Sequence, residues 1–139
     1  MKIPKKQLNL LLSLILILII LESVEVLMLA KDQSLMKEFQ ALTTENLQYD
    51  DYLSFHLMNY FRGIHIPIIL GLFTYFGRKS LRFGHLYKIV FGLLMMLSIM
   101  MHFIGHHFRT ILFYPIIGLQ ILLFFVLINL TQEERDGKD

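Results

Sequence analysis

The sequence predicts an all-α fold of a polytopic membrane protein, a bundle of four transmembrane helices, on three observations. Hydrophobic residues fill 55% of its 139 positions and charged residues only 17%, against about 45–50% and about 25% in soluble domains. Four apolar segments each have the roughly 20 residues a helix needs to cross about 30 Å of hydrocarbon. The last two of these lack the polar stripe that a helix packed on a soluble core carries along one side. Composition also excludes some functions. There is no cysteine, so disulfides, thiolate metal sites and cysteine nucleophiles are absent, and a net charge of +2 leaves no basic footprint for nucleic acid.

The chain reads as a single membrane domain over residues 1–139. The first span, residues 8–30, follows Lys2, Lys5 and Lys6; it is longer than the apolar run of a signal peptide and lacks a small-residue cleavage pattern, so it reads as a retained helix. Residues 31–51 form an outer loop in which Leu35, Met36, Phe39 and Leu42 fall at helical spacing, the pattern of an amphipathic helix lying on the membrane surface. Asp50 and Asp51 precede the second span, residues 52–76, where acidic side chains complement a helix dipole. A basic inner loop, 77–85, leads to the third span, 86–104. The fourth span, 111–130, is uncharged, and a charged tail, 131–139, ends the chain.

Orientation follows from the basic residues, which are retained on the cytoplasmic side of a membrane. The N-terminus, the 77–88 region and the tail together carry nine Lys and Arg, whereas the opposite side carries three, Lys31, Lys37 and Arg109. Both termini are therefore expected in the cytoplasm of a cell that holds this chain as a multi-pass protein of its cytoplasmic membrane.

Ionisable residues inside a span are costly and mark candidate sites. At about 1.5 Å per residue, Glu22 lies roughly 12 Å and Arg62 roughly 15 Å from the outer helix ends, which predicts an intramembrane ion pair between them. Glu25 and His56 form a second, shallower pair by the same count. His56, Asn59, Arg62 and His65 step by three residues and wind across half the helix surface, so His65 is expected to turn toward another helix or a backbone carbonyl. Pro67 is expected to open the hydrogen-bond ladder nearby. The third span ends with Met95, Met96, Met100, Met101, His102, His106 and His107. His56, His102, His106, His107 and Glu25 are the candidate metal ligands, suited to zinc or iron, or to Cu(I) with methionine. The competing reading makes these histidines interfacial side chains and the methionines plain gap-fillers. Neither a glycine-rich phosphate loop nor a serine elbow is present.

Leu21-Glu22-Ser23-Val24-Glu25-Val26, Leu72-Phe73-Thr74-Tyr75-Phe76, Arg82-Phe83-Gly84-His85-Leu86-Tyr87 and the late His102 give the chain a diffuse resemblance to the PsiE family of small bacterial membrane proteins. The resemblance covers most of the chain. It departs at Asn59 and Arg62, where the second span of that family tends to carry an acidic residue. It implies a setting, phosphate starvation or stress, rather than a reaction. The expectation is thus a PsiE-like, non-enzymatic protein with no cofactor, in the lipid bilayer as a homo-oligomer or beside a membrane partner subunit. Two alternatives stay open: a small ion or proton transporter or channel subunit using Glu22, Glu25 and Arg62, and a metal- or haem-binding membrane enzyme using the outer histidines.

Overall fold

The computed structural model describes residues 3–42, 46–78, 84–105 and 110–131, and every regular element among them is a helix. The helices are α1 (Lys5–Lys31), α2 (Gln33–Leu42), α3 (Tyr49–Gly77), α4 (His85–Gly105) and α5 (Phe113–Ile128). α1 and the stretch His85–Ile104 are long and apolar enough to cross a membrane. α5 is apolar but has only 16 residues, about 24 Å of helix, and so falls short of the expected span 111–130. Pro115 sits in its first turn, where a missing N–H is harmless. The helix stops where the Asn129 side-chain amide donates back to the Phe125 carbonyl at 2.9 Å. Much of the basic loop 77–85 and of the tail 131–139 lies outside the described residues.

Local chemistry explains where the other helices begin. Asp32 starts α2: its Oδ1 accepts from Ser34 Oγ at 2.6 Å, Ser34 N at 3.0 Å and Leu35 N at 3.2 Å, three bonds to one capping carboxylate. The Ser34 hydroxyl first, and then the backbone N–H groups, hold the Asp32 carboxyl below its ordinary pKa. α3 opens with a capping box, in which Gln48 N donates to Asp51 Oδ2 at 2.8 Å. Asp50 and Asp51 occupy its first turn, at the positive end of the helix dipole. The helix expected from the spacing of Leu35, Met36, Phe39 and Leu42 is α2, and its Phe39 ring packs on Tyr52 and Phe55 of α3.

The four long helices close into a ring in the order α1, α3, α4, α5, each antiparallel to its two neighbours. Matching contacts run the full length of α1 against α3. At one end Tyr52 Oη donates to Leu29 O at 2.6 Å; midway Ser23 Oγ and Tyr60 Oη are 2.8 Å apart; at the other end Arg78 Nε donates to Ile3 O at 3.1 Å. Gly71 lets α3 approach Ile15 closely. Gln7 and Thr131 join the α1 start to the chain beyond α5 through two hydrogen bonds. Lys88 Nζ reaches Ile128 O at 2.8 Å, tying α4 to α5.

The interior of the ring divides in two. Leu8, Leu11, Leu18, Leu70, Met95, Leu123 and Leu127 fill the half that holds the α1 start. Among the described residues, Thr74 and Tyr87, hydrogen-bonded to each other, bring polar atoms to its edge. The half that holds the α1 end is polar. Outside, the helices present large apolar side chains such as Leu16, Leu27, Phe76, Leu93 and Ile104. Met96, Met100 and Met101 are among the exposed residues, whereas Met95 is fully buried.

Candidate functional site

Each of the four long helices contributes to the polar half. α1 supplies Glu22 and Glu25, each 3% exposed and three residues apart, hence on one face. From α3 comes His56, from α4 His102 and from α5 Gln120, all buried. The helices carry these residues on the stripes they turn inward: in α3 the buried positions His56, Gly63, Leu70 and Gly77 recur every seven residues. The His56 ring stands edge-on to Tyr52 at 4.5 Å between centroids, and the His102 ring stacks with Phe113 at 5.9 Å.

Two hydrogen bonds tie the carboxylates to the α5 side. Thr110 Oγ1 donates to Glu25 Oε1 at 2.6 Å. Gln120 Nε2 lies 3.4 Å from Glu22 Oε1, long for such a bond. Glu22, Glu25, His56, Asn59, Tyr60 and His102 line a cavity of about 10 Å³, room for about one water molecule. Among the described residues, Gln120 Oε1 and Ser98 Oγ are buried with no hydrogen-bond partner. Two carboxylates and two imidazoles around a space the size of one water can hold a proton or a single water and pass a proton between them.

The expected ion pair of Glu22 with Arg62 does not form. The depth count was right to within one residue, because the Glu22 carboxylate lies against Gly63, where a Cβ would run into it. The error is rotational. Neighbouring helical residues differ by about 100° in direction, so with Gly63 facing α1, Arg62 points out of the ring and is exposed. Glu25 and His56, paired by the same count, line the same cavity. His65 bonds the Arg62 carbonyl through Nδ1 at 2.9 Å. Pro67 is buried inside α3 and offers no N–H to the carbonyl of Gly63 one turn earlier, so the backbone ladder opens next to Glu22.

The metal reading finds no complete ligand set: among the described residues, no three His, Asp or Glu side chains converge on a position for an ion. Glu25, His56 and His102 share the small cavity, while His106 and His107 lie outside the described residues. Sequence reasoning passed over Gly63 and Thr110. The inward stripe of α3, with two glycines in a seven-residue repeat, was the available signal for Gly63. Comparison of the chain with protein-family models, curated proteins and solved structures finds no match.

Proposed function

We propose that the chain is a small multi-pass protein of the cytoplasmic membrane, its four long helices crossing the bilayer with both termini in the cytoplasm, and that its polar half binds and passes protons. One observation carries the reading: ionisable groups are buried while large apolar side chains face outward. Glu22, Glu25, His56 and His102 are 3–5% exposed, while Leu16, Leu27, Leu93 and Ile104 are 59–68% exposed. In water that arrangement opposes the hydrophobic effect. In hydrocarbon it is the expected one, with ionisable groups facing the interior and apolar side chains facing lipid. The excess of basic residues at the α1 start supports the orientation.

This reading is a form of the proton-transporter alternative, with Arg62 removed from the buried set. It is compatible with a PsiE-like, non-enzymatic protein of phosphate starvation or stress, which would use the site in the lipid bilayer alone or within a homo-oligomer. The test is proton flux into proteoliposomes that hold a pH-sensitive dye, under an imposed potential. Glu22→Gln and Glu25→Gln are expected to remove flux seen with the unaltered protein. Flux that persists in both variants, or that never exceeds that of empty vesicles, overturns the reading.

A further inference from the structure

Neither Arg62 nor Ser98 lines the small cavity between Glu22, Glu25, His56 and His102, yet the two meet at the junction of two further cavities between α3 and α4. The smaller, about 100 Å³, is polar: Asn59, Arg62, Ser98 and His102 are among its lining residues. The larger, about 340 Å³, carries Ile66, Ile69, Leu94 and Leu97 along its walls and shares Arg62, Ser98 and Met101 with the first. Together they form a head-and-tail shape, within the roughly 300–1,000 Å³ typical of small-molecule sites. Two donors stand at the neck. Ser98 is 4% exposed, and its Oγ has no partner among the described residues. Arg62 is exposed to the cleft, and its guanidinium forms no ion pair among the described residues.

We infer that the cleft between α3 and α4 binds a single-chain amphiphile with a carboxylate head, the head at Arg62 and Ser98 and the chain along Ile66, Ile69, Leu94 and Leu97. A guanidinium in an apolar setting requires an anion, and charge and depth narrow the choice. Arg62 lies near the middle of the 29-residue α3, so under the membrane reading a headgroup must leave the hydrocarbon edge, about 15 Å away, to reach it, which a carboxylic acid does in its neutral, protonated form and a permanently charged phosphodiester does not. A second copy of the chain brings no acid to that height, because the exposed acidic side chains described, Glu38, Asp50 and Asp51, sit at the α2 end. A carboxylate is small enough for the polar cavity and pairs with a guanidinium through two parallel hydrogen bonds, while Ser98 Oγ donates a third.

The inference rests on the membrane reading and is independent of proton transfer. The experiment is electron paramagnetic resonance of spin-labelled stearate in phosphatidylcholine vesicles carrying the full chain, with the methyl ester and a spin-labelled phosphatidylglycerol as comparison probes. An immobilised fraction is expected for stearate alone. Arg62→Gln is expected to weaken it about tenfold, as loss of a charged hydrogen-bond partner would. Ile69→Trp alters a lipid-facing position and fills the tail cavity, so it is expected to weaken stearate without affecting the fold. Equal immobilisation of the ester or of phosphatidylglycerol, or no response to either substitution, overturns the carboxylate site. Protein that fails to float with the vesicles overturns the membrane reading instead.

Discussion

The two halves of the ring are buried to the same degree and are opposite in chemistry. Leu11, Leu18, Leu70, Met95, Leu123 and Leu127 are 0% exposed at one end, and Glu22, Glu25, His56, His102 and Gln120 are 0–5% exposed at the other. Burial alone therefore does not define a core in this protein. The apolar half is close-packed, and its contribution comes from van der Waals contact among interlocking side chains. The polar half has a water-sized cavity, one long hydrogen bond and two buried oxygen atoms without partners among the described residues. Such a region contributes little stability for its area, which makes its composition understandable only through what it does.

If that contrast is right, Leu70→Ala should have the largest effect on stability. Leu70 sits where α3 meets the interior, and its truncation is expected to cost about 2–5 kcal/mol, the range for a buried Leu whose surroundings cannot collapse. Reversible unfolding in mixed micelles measures it. A cost under about 1 kcal/mol would mean that the apolar half is loosely packed and that the halves do not differ.

Gly63→Ala probes the boundary between the halves. The added Cβ meets the Glu22 carboxylate, and such overpacking is expected to cost about 1–3 kcal/mol. Because Glu22 must move, proton flux should fall together with stability. Gly71→Ala offers the internal control: its Cβ would meet the flexible Ile15 Cδ1 at 3.1 Å, and flux should be retained.

Gln120→Leu is expected to change stability by less than about 1 kcal/mol in the same unfolding measurement, since it removes one weak hydrogen bond together with one unpaired oxygen. A loss as large as that of Leu70→Ala would show Gln120 to be a structural anchor of the polar half and erase the distinction drawn between the two.

How much of this was legible beforehand differs by scale. Apolar run lengths placed the four long helices, and the spacing of Leu35, Met36, Phe39 and Leu42 anticipated α2, because both patterns follow from helical periodicity alone. Counting depth from the helix ends matched Glu22 to within one residue of its neighbour on α3. Depth needs only the rise per residue, whereas rotation needs to know which face turns inward. That was lost at Arg62, because the polar ladder on α3 was weighed and its glycines were not. The meeting of Thr110 with Glu25 depends on how the 105–112 connection folds, for which the local sequence offers no signal.

The smallest expected effect lies outside the ring, in the cap of α2. The Asp32 carboxyl is held below the ordinary carboxylate pKa by the Ser34 hydroxyl and by the Leu35 and Ser34 amides. A group whose folded pKa is depressed stabilises the structure above its unfolded pKa and loses that contribution as pH falls through the folded value. The start of α2 should therefore fray in acid, below the usual carboxylate range, while the ring stays intact. Amide exchange at Ser34, Leu35 and Met36 should accelerate there relative to exchange in α1 and α3. Asp32→Asn, which keeps a capping oxygen without the charge, should abolish the pH dependence while leaving most of the protection at neutral pH. Acceleration that spreads at the same pH into α1 and α3 would instead tie α2 to the stability of the ring.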